Sequence, residues 1–134
     1  MRLAILYLQN GEWNGTRLLP DGYVEQVKTG TPQYPYAGMG AYVAGKFIEA
    51  RGPANPDATF GKTKHSEPYL AGDLFMFDGN GHQVAYIIPS ANMVIFRSGT
   101  WPAKEVGWDN SVLPNLILSG TSFPEGQQPV PQQR

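Results

Sequence analysis

The sequence of 134 residues contains no cysteine. That excludes disulfides, thiolate metal sites and a cysteine nucleophile. It also lacks any run of like charges, and its formal net charge is −1. Nucleic acid and anionic membrane surfaces both require a cationic field, so neither is expected as a partner. No apolar stretch approaches the roughly 20 residues that span a bilayer, so no membrane segment is expected. The apolar start, Leu3-Ala4-Ile5-Leu6-Tyr7-Leu8, is short and runs into Gln9-Asn10-Gly11-Glu12-Trp13 without a small-residue cleavage site. It is therefore not read as a signal peptide, and the cytoplasm is the default location. Histidine is scarce too: His65 and His82 are not at a helical i,i+4 spacing, so no metal site is read and no cofactor is expected.

Glycine and proline are abundant, with 16 and 12 copies, which favours strands and loops over a helical bundle. The length suits one domain. Its centre is the stretch 72–99, where three runs of β-branched and aromatic residues, 74–77, 84–88 and 93–96, follow one another. The second and third flank the turn Pro89-Ser90-Ala91-Asn92, the pattern of an antiparallel hairpin. The first is joined to the second by the glycine-rich corner Asp78-Gly79-Asn80-Gly81.

Around this centre, residues 1–9 read as a short helix with no lead-in, stopped by Asn10-Gly11 in a left-handed cap. Trp13-Asn14-Gly15-Thr16 reads as a turn. A second helix is expected over 19–27, with Pro20 at its first position, Asp21 at the positive end of its dipole and Lys28 at the other. A fourth strand is expected over 42–48, a long polar loop over 49–66 and a connection over 101–108. The last helix, over 109–118, would be capped by Asp109 and stopped by Gly120, with Pro114 kinking it or delaying its start. The fold class is thus α+β: an antiparallel sheet of three to four strands with short N-terminal helices and a C-terminal helix packed on it. Residues 121–134 hold little to bury, and their prolines and glutamines predict a disordered tail.

The residues that could carry chemistry gather at the corner. Asp78 and His82 could form an orienting pair, against the plainer reading of a loop carboxylate and a half-exposed histidine. Gly79-Asn80-Gly81 is not followed by a helix start, which weakens a phosphate-cradle reading. Trp13, Trp101 and Trp108 could line a sugar or peptide site, with core packing as the default. The tripeptide Lys28-Thr29-Gly30 matches a signature of penicillin-recognising enzymes, but it falls at a helix end and reads as a lysine, a helix stop and a loop.

Three stretches together resemble a known family. Leu6-Tyr7-Leu8-Gln9-Asn10-Gly11-Glu12-Trp13 and the following residues through Val24 are similar to the helix-turn-helix that closes the helical region of serine beta-lactamase-related hydrolases. These include class C beta-lactamases, penicillin-binding-protein-like esterases and 6-aminohexanoate-oligomer hydrolases. Residues 79–83 with Tyr86-Ile87-Ile88-Pro89-Ser90-Ala91-Asn92-Met93-Val94-Ile95-Phe96-Arg97 resemble the paired C-terminal strands, and 109–118 resemble the last helix. The resemblance implies that residues 1–120 are the C-terminal part of a beta-lactamase/transpeptidase-like domain. It also implies a nucleophilic serine in Ser-x-x-Lys, and no serine of this sequence has lysine three residues on. Without nucleophile and base together the chain is not expected to perform acyl transfer alone. The family's Lys-Thr-Gly strand would correspond to Phe77-Asp78-Gly79, with the lysine absent and His82 where a glycine is expected. By that correspondence Phe77, Asp78, Gly79, Asn80, Gly81 and His82 are the candidates for a substrate-binding, oxyanion-side edge. The resemblance implies a homo-oligomer or a companion chain carrying the N-terminal part, to cover the sheet. The alternatives are a free-standing ligand-binding module using the 78–83 loop, and a small enzyme using Asp78 and His82.

Overall fold

The computed structural model describes residues 1–44, 63–64, 68–100 and 108–132, with only the backbone considered at 63–64. The chain opens with helix α1 (Arg2–Leu8). As expected, it ends in the left-handed region, with φ of 53° at Asn10 and 85° at Gly11. The Gly11 N–H donates to the Leu6 carbonyl at 2.8 Å. Strands β1 (Glu12–Trp13) and β2 (Thr16–Arg17) then form a small hairpin. Its two turn residues, Asn14 and Gly15, both have positive φ, as a tight primed turn requires.

Helix α2 (Tyr23–Val27) is shorter than the expected 19–27. Gly22 sits at φ 77° immediately before it, a conformation that no helix can run through, so Pro20 and Asp21 belong to the preceding turn. Asp21 consequently pairs with Arg17 at 3.0 Å rather than with the helix end. Lys28 follows α2 and pairs with Glu25 at 2.9 Å, so Lys28-Thr29-Gly30 does lie at a helix end.

The main sheet has four strands: β3 (Tyr42–Val43), β5 (Phe75–Gly79), β6 (Gln83–Ile88) and β7 (Met93–Arg97), in the order β3-β5-β6-β7 and all antiparallel. A separate two-residue parallel pair joins β4 (Thr63–Lys64) to β8 (Trp108–Asp109). Residues 45–48 of the expected strand, most of the expected 49–66 loop and residues 101–107 of the expected connection lie outside the described residues.

Side-chain alternation along these strands builds two cores. One face sends Phe75, Ala85 and Ile87 against Ala4 of α1, Val24 and Val27 of α2, and Ala41 and Val43. The other sends Met76, Val84, Tyr86, Ile88 and Ile95 against Leu74, Tyr69, Ala71 and Leu118. Because β6 is covered on both faces, Val84, Ala85, Tyr86, Ile87 and Ile88 are all buried, and the strand reads as an unbroken apolar run.

Helix α3 (Val112–Ser119) packs on the second core through Leu118, with Leu113 and Ile117 alongside. It starts three residues after Asp109, and Pro114 is its third residue, where no intrahelical N–H is needed. The Asp109 carboxylate accepts from the Ser111 N–H at 3.0 Å and the Ser111 hydroxyl at 2.6 Å, so it orders the turn ahead of the helix. Gly120 ends the helix at φ −94°, outside the left-handed region.

The segment after Gly120 is the one that composition marks for disorder. Through Gln132 it has no helix or strand, yet it is fastened to the body. Phe123 packs on the second core, and Gln132 is buried. Besides Phe123, the fastening uses backbone groups, the Ser90 hydroxyl and the Gln132 carboxamide, none of which a count of apolar residues registers.

Candidate functional site

The corner between β5 and β6 is a single 3-10 turn, Asn80–His82, with Gly81 at φ 74° and His82 at φ 57°. Two consecutive positive φ values turn the chain back on itself within three residues. The sequence supplies glycine for one of them, and a buried ring holds the other.

The His82 imidazole stacks on Trp108 of β8, with ring centroids 5.3 Å apart and planes 20° from parallel. It is 7% exposed, so the half-exposed histidine of the plainer reading is buried against an aromatic ring instead. Arg97, the last residue of β7, closes the corner from another side. Its Nη1 donates to the carbonyls of Gly81 and His82, each at 2.9 Å, and its Nη2 donates to Thr100 at 2.7 Å. Its guanidinium carbon also lies 5.0 Å from the centre of the Trp108 ring, a cation–π contact. The Gln83 carboxamide pairs with both backbone groups of Gly99, accepting from its N–H at 3.1 Å and donating to its carbonyl.

Asp78 is tied inward. Its Oδ2 accepts from Asn110 Nδ2 at 2.9 Å. Asn110 Oδ1 in turn accepts from Trp108 Nε1 at 2.6 Å and from the Tyr86 hydroxyl at 3.3 Å. Asn110 is 1% exposed and Tyr86 fully buried, so this is an internal polar network linking the corner, the middle strand and the approach to α3. Burial, and then Asp78, push the Tyr86 phenol well above its ordinary range, so it stays a hydrogen-bond donor at neutral pH.

The six candidate residues do not share a face. Asp78 and His82 lie on the Trp108 side, whereas Phe77 points to the α1 side, edge-on to Tyr7 at 5.0 Å. On that second side a cleft of about 310 Å³ opens beside the corner. Phe77, Ala85 and Phe96 line it from the sheet, Met1, Leu3 and Ala4 from the first turn of the chain, and Asp78, Gly79 and Gln83 form part of its wall. Strand β3 pairs with β5 only at Phe75 and Met76. The outer side of residues 77–79 therefore has no strand partner among the described residues.

Reading the sequence located the corner but missed Arg97, Tyr86 and Asn110, which organise it. Nothing in the Arg97 or Asn110 neighbourhood signals a role at the corner, because the bonds that tie Arg97 to Gly81 and His82, and Asn110 to Asp78 and Tyr86, reach more than a dozen positions along the chain. Trp108, one of three tryptophans considered for a ligand site, belongs to the scaffold of the corner. Trp13 is half-buried in the β1–β2 hairpin, and Trp101 and His65 lie outside the described residues.

The buried histidine has a pH consequence. Burial lowers its pKa below the ordinary 6.5; Asp78 opposes the shift and Arg97 adds to it. The native state therefore binds fewer protons than the unfolded chain, which titrates near 6.5. The His82 contribution is complete above that value and is lost as pH falls from 6.5 through the lowered folded pKa. Urea denaturation is expected to show stability falling as pH drops below about 6.5. His82→Asn, which tolerates the positive φ, is expected to flatten that slope. An equal slope in both proteins would remove His82 as its source.

No protein-family model matches this chain, and no curated protein matches it either.

Proposed function

We propose that this chain supplies the sheet wall of a hydrolase site of the serine beta-lactamase-related kind, and that it does not carry out acyl transfer alone. In this reading the edge formed by Phe77, Asp78, Gly79, Asn80, Gly81 and His82 lies alongside the substrate, with backbone amides on the oxyanion side. The nucleophile and its base come from a companion segment, since no Ser-x-x-Lys is present. The observation that carries the reading is the cleft of about 310 Å³ against the outer side of 77–79, which has no strand partner among the described residues. A concave apolar surface beside available backbone groups is what an acyl-group site needs. Met1 at 64%, Leu3 at 59% and Phe96 at 45% exposure offer apolar surface that a companion chain or second copy would cover.

A second reading, a free-standing ligand-binding module, draws on the same cleft, because all its walls come from this chain. Titration of the ¹⁵N-labelled protein with a neutral phenylacetyl amide separates the possibilities. Amide shifts confined to 77–83 and α1, with no turnover of a chromogenic ester or β-lactam, are the expected result. Turnover by the chain alone would refute the catalytic half of the proposal. No shift at millimolar amide would refute the binding half. Micromolar affinity for the amide without a companion would favour the module.

A further inference from the structure

The fastening of the C-terminal segment has the chemistry of peptide recognition, and it lies away from the 78–82 corner. Three residues, Val130, Pro131 and Gln132, run along the stretch 69–72 that leads into β5. The Gly72 N–H donates to the Val130 carbonyl at 2.6 Å, and the Gln132 N–H donates to the Tyr69 carbonyl at 3.4 Å. The Val130 N–H donates to the Ser90 hydroxyl at 3.2 Å. That hydroxyl is oriented by its own bond to Asp73 Oδ1 at 2.7 Å, while Asp73 Oδ2 accepts from the Ser90 N–H at 2.7 Å.

The selective element is the Gln132 carboxamide. Its Oε1 accepts from the Tyr69 N–H at 2.7 Å, and its Nε2 donates to the Ala44 carbonyl at 2.9 Å. A donor and an acceptor fixed on opposite sides demand a primary amide: a carboxylate would set an oxygen against the Ala44 carbonyl, and an alkyl group would forfeit both of these bonds. Gln132 is 8% exposed, whereas Val130 and Pro131 are exposed, so the glutamine side chain is read and its two predecessors contribute backbone. Gly72 completes the groove. A Cβ there would lie 2.8 Å from the Gln132 Cα and 3.0 Å from the Pro131 carbonyl oxygen, and its φ is not in the left-handed region. Its lack of a side chain serves the approach of this segment.

We propose that the groove formed by Ala44, residues 69–72 and Ser90 is a docking site for an extended glutamine-bearing peptide. Its occupant is the chain's own segment 130–132, exchangeable with the same segment of a second copy. Main-chain bonds give the site affinity and the carboxamide gives it selectivity, the division of labour of strand-addition sites. The connection from Gly120 to Gln128 is irregular, and tethering sets the effective concentration of the cis occupant near millimolar. A free peptide must compete with that.

The test uses the full chain with Gln132→Glu, which unseats its own tail, and a fluorescent peptide of residues 121–132. Saturable binding is expected, at least about tenfold weaker for the peptide ending in glutamate and weaker for the wild-type chain, whose groove is filled. Equal binding of the two peptides, equal binding by the two chains, or no binding would overturn the proposal. Hydrogen exchange in full-length Gly72→Ala gives an independent reading. The Tyr69 and Val130 amides should exchange about tenfold or more faster while β6 amides keep their protection. Unchanged Tyr69 and Val130 exchange in that variant would likewise refute the site.

Discussion

Asn110→Ala is expected to lower the unfolding free energy by about 2–4 kcal/mol, measured by urea denaturation at neutral pH. Asn110 is 1% exposed and is shared by Asp78, Trp108 and Tyr86. Truncation leaves the Tyr86 hydroxyl and the Trp108 indole N–H inside the protein without this acceptor, and each such group costs about 1–3 kcal/mol. The Asp78 carboxylate is half-buried and can recover part of its loss from water, which keeps the total below the sum. Asn110→Asp discriminates further. It keeps the acceptor for Tyr86 and Trp108 but sets a carboxylate against Asp78, so its destabilisation should diminish as pH falls through the carboxylate range. A loss below about 1 kcal/mol in Asn110→Ala would mean that water replaces the amide and that the network does not hold the corner.

Phe75→Ala is expected to cost more, about 3–5 kcal/mol. Phe75 is fully buried between the sheet and the two N-terminal helices, within the cluster of Ala4, Val24, Val27, Val43 and Ile87. Its ring meets Phe77 edge-on at 6.4 Å, so the deletion also loosens a wall of the cleft. Against a typical domain stability of about 5–15 kcal/mol, a loss of this size should be visible as a large drop in the urea midpoint. Phe96→Ala serves as the control. That side chain is 45% exposed, so a much smaller change is expected there, and equal losses would show that the first core is not the stabilising one.

Much of the fold was legible because its signals are local. The runs 74–77, 84–88 and 93–96 fall within or on β5, β6 and β7 to within two residues. Asn10-Gly11 stops α1 by left-handed geometry, and Pro114 does delay the start of α3. Where the reading failed locally, at 19–22, helix-compatible Pro20 and Asp21 competed with a glycine two residues on. The glycine prevailed because a positive φ ends any right-handed helix. The contacts of the tail are of a kind that composition does not register. Composition estimates how much apolar surface a segment can bury, and this one is held by hydrogen bonds to Tyr69, Gly72 and Ala44.

By itself, then, the sequence determined the three helices and the central strands, the antiparallel order of those strands and the position of a glycine-rich corner at 78–82. Each depends on residues adjacent in the chain or two to four apart, where periodicity and turn chemistry act. Only the tertiary structure decided what surrounds that corner. Strand pairing brings Arg97 onto the Gly81 and His82 carbonyls, and the approach to α3 brings Trp108 and Asn110 onto His82 and Asp78. It also turns Phe77 to the opposite face, where the cleft lies. The contacts at the corner join residues 15 to 32 positions apart, and no local propensity encodes them: they follow from register, where each step of one residue exchanges one face of the sheet for the other.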